Sequence, residues 1–546
     1  MQLKSWDTTI IRYAWTFIVK NLYKYLSKCE GFPIKEWPPE EQRWAIQWLH
    51  YVGRGVLIKR IAVQHAIGLV DIEKTDKKWD INVVQGVENQ FLDNYDHVFL
   101  KKIERAHLSI KESIFDKWNH SVNSDLDELL SKYDNVFITN TDKPIPYDTD
   151  RICTLIKNGI QQYPVGFGNL IRYHAEDEVV VYILSIAVNM AKRWMRDAGI
   201  DVESSYNNIK FLDILIVVSI ITAMNLRHSI YLNHSFDRKD IDIPCSMTIW
   251  SSRDNIVDEV NLILKMDKDI ICNILDIVSL NNGTYKTISD NENFYMPPLI
   301  EIGKNIYIRP ISSLVTNPFF MIRKYIHDTD KKEYSKIISN RENLFREDIY
   351  NMFRGNRFRL TQSNIKIKDL NGNIITDIDA AIFDVLDNSL ALFQLKWQDF
   401  DTNDTLSLRS KSKNLVKEID NWGIKLDSWL KSIDVDSVKR TFRIKSKSKQ
   451  IIVYLFVITR GFSRVESFGF SSEVPALAIA NYFYFQRIRG EIGPRQQVFP
   501  LMHKKFKQAR EELSLLKPKP MSFSVNDSIF SLERYWFGLP DELQAN

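Results

Sequence analysis

Asp377 and Asp379 stand two residues apart, and Gln394 and Lys396 repeat that spacing further on, within the stretch TDIDAAIFDVLDNSLALFQLKW at 376–397. Carboxylates, an amide and an ammonium set among strand-forming apolar residues cost free energy unless they bind something. In a strand, residues two apart share a face. Gln394 and Lys396 therefore point one way and Phe393, Leu395 and Trp397 the other, while Asp377 and Asp379 share a face of the preceding strand. A hairpin through the turn-forming LDNS at 386–389 brings the two strands side by side. Oxygen donors and one cationic donor at a strand end suit a hard divalent cation, with a water or a phosphate beside it.

The elements that must position these residues follow from periodicity. A helix is expected over 330–355, ending at Gly355, then strands over 358–370, 373–385 and 390–397 with turns at 371–373 and 386–389. A helix over 401–431, an apolar strand over 450–461 and a helix over 474–488 complete an α/β domain with a central mixed sheet at 330–490. Residues 491–546 form a C-terminal extension packing on it. Residues 1–240 read as mainly helical, with three- and four-residue apolar spacing in 40–63, 89–118 and 179–199 and a Pro- and Asp-bearing loop at 140–150. Residues 241–329 read as a mixed α/β connecting region, with two short strands around a Gly-Lys-Asn turn in 296–315 and an extended connection after them. The fold class is multidomain, α + α/β.

The order helix, TDIDAAIFD, LALFQLKW, helix, QIIVYLFVITRG resembles the PD-(D/E)xK nuclease superfamily. The D…QxK form is most similar to the Mrr-type restriction endonucleases and their relatives, and the likeness covers about 335–490. The resemblance implies a restriction-endonuclease-like domain acting as a Mg²⁺- or Mn²⁺-dependent endonuclease. Its expected substrate is double-stranded DNA, in bacterial restriction-type or anti-phage defence. It implies that Asp379 binds the metal, that Gln394 takes the second acidic position, and that the backbone carbonyl of Leu395 is a further ligand. Lys396 would position or activate the attacking water and stabilise charge on the phosphate. Glu347 is the choice for the family's helix glutamate, with Glu342 as competitor, and Asp377 is a possible extra ligand. Gln394 in place of a carboxylate removes a negative charge, so a second reading keeps the fold and drops the chemistry: an inactive nuclease-like nucleic-acid-binding or assembly protein in a defence or mobile-element system.

Charge bears on partners locally, since +4 on 546 residues decides nothing. Residues 401–450 hold twelve Lys and Arg against seven Asp and Glu. Arg409, Lys411, Lys413 and Lys417, with Lys445, Lys447 and Lys449, are candidate contacts to a nucleic-acid backbone; KKFKQAR at 504–510 is a weaker extension. Cys29, Cys153, Cys245 and Cys272 form no CxxC pair, which argues against a zinc site or disulfide framework and for reduced thiols in a cytosolic protein. GxxxxGK[ST] and HExxH are both lacking. The N-terminus lacks a signal-peptide pattern, and the apolar run ILIVVSIITAM at 214–224 is short for a bilayer. The expectation is a cytoplasmic protein with no membrane partner, whose N-terminal helical region regulates, recognises a partner protein or self-associates.

Overall fold

The computed structural model describes residues 5–26, 28, 39–84, 149–165, 168–289, 296–303, 305–353, 355–361, 364–369, 371–398, 405–460, 472–493, 495–514 and 521–532. The chain divides into two compact units, Ile11–Gly53 with Ile103–Arg341, and Met1–Ile10 with Arg54–Lys102 and Glu342–Asn546. The boundaries expected at 240 and 329 differ from this division. One continuous core runs from Ile152 to Ile337, because helix Phe211–Asn233 shares its apolar surroundings with helix Asp177–Asp197 and also with Leu299, Tyr307 and Phe319. That helix extends the 214–224 run to 23 residues, long and apolar enough by length and composition to cross a bilayer, yet 83% of its most apolar window is buried inside the protein.

Helices Pro39–Ala66 and Asp177–Asp197 match the periodic stretches, while 89–118 lies outside the described residues, as does all of the 140–150 stretch but its last two residues, which open helix Thr149–Asn158. The region read as mainly helical also contains strands: β1 (Val70–Thr75), β2 (Lys78–Val83), β3 (Ile160–Val165) and β4 (Gly168–Tyr173). A short ribbon, β5 (Ser205–Tyr206) and β6 (Ile209–Lys210), turns through Asn207 and Asn208, both with positive φ as such a tight turn requires. Further on, β7 (Thr248–Ser252), β8 (Ser279–Leu280), β9 (Leu299–Ile302) and β10 (Ile306–Pro310) form a sheet in the order β7-β10-β9-β8. Gly303 and Asn305, at φ 62° and 60°, close the β9–β10 turn. A 3-10 helix, Ile311–Val315, follows in place of the extended connection.

The expected 330–355 helix is broken. Lys331–Ile337 and Arg341–Asn351 are separate helices, because Ser339 and Asn340 turn their side chains to the Lys336 carbonyl and to Asp201. Such local side-chain bonds compete with helix continuation. Next come β11 (Phe358–Leu360), β12 (Ile365–Lys368), β13 (Ile374–Ile378), β14 (Ala380–Asp384) and β15 (Ser389–Trp397). The two strands expected over 358–385 form one hairpin whose outer pair, β11 with β14, stays in the main sheet, while β12 and β13 bend away as a separate ribbon. The bend falls at Asp379.

Helices Thr405–Ser432 and Val435–Thr441 lead to β16 (Ile452–Arg460) and then β17 (Leu477–Asn481), giving the order β11-β14-β15-β16-β17. β14 is antiparallel to both neighbours, whereas β15, β16 and β17 run parallel. The stretch 474–488 is thus strand followed by helix Tyr482–Glu491, not one helix. A parallel strand buried on both faces has no polar-apolar alternation to betray it. One face of the sheet packs Phe393, Leu395, Phe456 and Ile458 against helices Arg341–Asn351, Tyr482–Glu491 and Val498–Ser514. The other packs Leu390, Leu392, Leu455 and Val457 against Leu415, Ile419, Trp422 and Leu426 of helix Thr405–Ser432. Finally β18 (Met521–Val525) and β19 (Ser528–Leu532) join β1 and β2 in a sheet ordered β1-β2-β19-β18.

Candidate active site

The bend between β13 and β14 turns Asp379 toward β15. Its backbone N–H donates to Phe393 O at 3.1 Å, so the aspartate lies opposite Gln394. Its carboxylate Oδ2 accepts from Gln394 Nε2 at 2.5 Å and from Leu395 N at 2.7 Å. Oδ1 takes no hydrogen bond from a described residue, leaving one carboxylate oxygen to a ligand. Burial pushes the Asp379 carboxyl up to about 6; the Leu395 N–H opposes the rise, the Asp377 charge adds to it, Lys396 opposes it and Glu342 adds to it. A buried carboxylate among like charges is a group whose ionised form a cation would favour.

Gln394 and Lys396 share the face that packs on helix Thr405–Ser432, as their alternation with Phe393 and Leu395 requires. Gln394 is buried. Lys396 Nζ lies 3.1 Å from Glu418 Oε2, a carboxylate 61% exposed on that helix. Lys396 is paired in register with Thr459 on β16, which faces the same side as Val457. Thr459 is fully buried and its hydroxyl oxygen meets no hydrogen-bond partner among the described residues. Asp377 stands two residues before the bend on the β12–β13 ribbon, exposed, so it does not share one straight strand face with Asp379. Its carbonyl accepts from Trp422 Nε1 at 2.9 Å.

Helix Arg341–Asn351 is clamped to the same end of the sheet. Arg346, buried, donates from Nε to the Asp379 carbonyl at 2.5 Å, from Nη1 to Asn343 Oδ1 and from Nη2 to Asn364 Oδ1, both at 2.8 Å. Two residues on, buried Asp348 pairs with buried Arg460, whose guanidinium is surrounded by the rings of Phe345, Trp397 and Tyr482. Glu342, one turn before Arg346, is the helix carboxylate whose charge reaches Asp379. Glu342 and Glu347 are both exposed on this helix, so exposure does not choose between them.

The basic residues separate into three groups. Arg409 Nη1 donates to the Ile67 carbonyl at 2.7 Å, which gives it a structural task. Lys411, Lys413 and Lys417 are exposed on helix Thr405–Ser432, within about 10 Å along its axis of Glu418. Lys445, Lys447 and Lys449 precede β16, whose first residue, Ile452, pairs with Ser389 at the sheet end opposite Lys396 and Thr459. Roughly 23 Å of strand separates the two ends, so this second run does not flank the site. Among the described residues no group of three or more His, Cys, Asp or Glu is arranged to hold a metal ion. A cation here would depend on Asp379 together with the amide oxygen of Gln394 and the Leu395 carbonyl. All are hard oxygen donors, as Mg²⁺ or Mn²⁺ demands, and the raised Asp379 carboxyl fits a place for positive charge.

Arg346, Glu418 and Thr459 were missed in the sequence. Neither the type nor the spacing of these three residues in the chain singles them out. No protein-family model, no curated protein and no solved structure matches the chain.

Proposed function

We propose that the unit containing residues 342–532 is a metal-dependent nuclease of the PD-(D/E)xK kind, with a restriction-endonuclease-like domain and its site at the Asp379 bend. The observation that carries the reading is the Asp379 carboxylate tied to Leu395 N and Gln394 Nε2, with Lys396 two residues further on the same face as Gln394. The order of elements supports it: helix Arg341–Asn351, the aspartate at the start of β14, QxK on β15, then helix and parallel strand.

Asp379 Oδ1, Gln394 and the Leu395 carbonyl would hold Mg²⁺ or Mn²⁺. Bound there, the metal supplies Lewis-acid polarisation of a phosphoryl oxygen and a more acidic water. Lys396 brings a donor and a positive charge to that face, where a phosphate oxygen gains charge as water attacks phosphorus and the ester P–O bond breaks. Arg346 holds the bend that aims Asp379. Lys411, Lys413 and Lys417 offer phosphate-backbone contacts. Double-stranded DNA as substrate and a defence role extend the family likeness.

A specific observation favours a second reading. Gln394 is uncharged and Lys396 is engaged by Glu418, which suits an inactive or held nuclease fold that binds nucleic acid without cutting it. Incubating wild-type protein and Lys396→Ala with plasmid DNA, with and without Mg²⁺ or Mn²⁺, decides. Metal-dependent cutting lost in the variant supports the nuclease. Equal cutting by both removes the site from it, and metal-independent DNA binding without cutting supports the second reading.

A further inference from the structure

Arg309 lies on β10 and is 7% exposed. Along that strand Tyr307 faces the core of helix Phe211–Asn233, while Ile306 and Ile308 face the opposite cluster. Alternation therefore turns Arg309 toward helix Phe211–Asn233. Its Nε and Nη1 are shut off from solvent and have no hydrogen-bond partner among the described residues. Buried arginines are normally satisfied. Arg253 in the same unit shows the usual case, donating to Asp276, Tyr307 and the Cys272 carbonyl.

A second guanidinium stands nearby. Arg227 on helix Phe211–Asn233 also has a shielded Nε with no hydrogen-bond partner among the described residues, and its Nη2 is 3.7 Å from Glu259 Oε1, too long for a hydrogen bond. Arg227, Glu259 and Tyr173 are the charged and polar groups whose electrostatics reach Arg309; burial depresses its guanidinium most, and Tyr173 and Glu259 counter that. Two cations thus share one half-exposed carboxylate, an arrangement costly unless an anion completes it. His228 adds no charge at neutral pH: its Nε2 is 2.7 Å from the Ser246 carbonyl, and burial pushes it down to about 4. Tyr173, half-buried and stacked on Tyr231 at 4.4 Å, brings its hydroxyl 3.4 Å from His228 Nδ1.

We propose that Arg309 and Arg227, with the Tyr173 hydroxyl, form a binding site for a phosphate group carried by a small-molecule ligand. Two guanidinium forks on different elements and a hydroxyl need more acceptors than the two oxygens of a planar carboxylate, whereas a phosphate presents three or four. Arg227 and Glu259 are partly open to solvent and give a way in. The site stands independently of the nuclease reading, since every residue in it belongs to the other compact unit.

Calorimetric titration of the full-length protein with inorganic phosphate, pyrophosphate and ATP, against succinate at matched ionic strength, tests it. Saturable binding of at least one phosphate probe and none of succinate is expected. Arg309→Met should lose about tenfold or more in affinity, while melting no lower than wild type in phosphate-free buffer, because an unpaired buried charge has been removed. Arg227→Gln should weaken binding likewise and carries the test if Arg309→Met does not fold. No binding of any phosphate probe up to roughly 10 mM, equal binding of succinate, or unchanged affinity in the folded variants overturns the proposal.

Discussion

Lys396 Nζ lies 3.1 Å from Glu418 Oε2, so the ammonium that the QxK spacing puts on the site face is held by a carboxylate of the neighbouring helix. Glu418 is largely exposed, and such a pair contributes little to stability, about 0–1 kcal/mol. Glu418→Gln is therefore expected to melt within a few degrees of wild type and to cut plasmid at least as fast. Lys396→Ala should lose on the order of 100-fold or more in cutting rate. A Glu418→Gln protein as inactive as Lys396→Ala would show the carboxylate to be a working part of the site.

Asp379 offers a test in metal-free buffer. Burial holds its folded carboxyl up at about 6, above the ordinary aspartate value of 3.8. A raised acid contributes stability that is complete below the lower value and is lost as pH rises through the higher one. Asp379→Asn should remove that slope and be more stable than wild type at pH 8 by roughly 1–3 kcal/mol in chelator. Added Mn²⁺ should raise the melting temperature of wild type and leave the variant unmoved. Paired melts across pH 4–8 check both arms.

The lysines divide by position. Replacing Lys411, Lys413 and Lys417 with Gln should weaken binding to duplex DNA and flatten its salt dependence by about two to three units of slope. The same change at Lys445, Lys447 and Lys449, at the far end of the sheet, should leave cutting unaffected. Fluorescence anisotropy across a salt series with catalytically dead protein reads the first, and plasmid nicking the second.

Asp348 and Arg460 are both buried and paired. Arg460→Ala removes the cation paired with buried Asp348 and packed against the rings of Phe345, Trp397 and Tyr482, and should destabilise by about 3–5 kcal/mol. The Asp348→Leu, Arg460→Met double variant should recover most of that loss. Denaturant melts of both single variants and the double close the cycle, and full additivity would contradict the coupling.

His228, pushed by burial down to about 4 from the ordinary imidazole value of 6.5, favours the unprotonated form in the fold. Its folded value is the lower one, so stability is intact above 6.5 and is lost as pH falls toward 4. The loss at the acid end is roughly 2–3 kcal/mol. His228→Gln should flatten that part of the profile, as thermal melts between pH 4 and 7 would record.

Local chemistry in the chain was enough to place Asp379, Gln394 and Lys396 together. Period-two alternation puts Gln394 and Lys396 on one face, and the LDNS turn makes the hairpin that sets Asp379 opposite them. The same reasoning yielded the helix after β15 and the apolar strand β16. It failed where the answer depended on distant partners. β17 reads as helix because both its faces are buried by a sheet and by helices that only the fold supplies. The strand over 373–385 reads as continuous because nothing local marks the bend at Asp379; Arg346 and the Trp422 indole hold it from other elements. The distance of Lys445–Lys449 from the site is a property of strand direction, which neighbouring positions in the chain conceal. Side-chain type and spacing determined which residues could be brought to one strand face; which of them meet was decided by packing, because burial and register act between segments that do not adjoin in sequence.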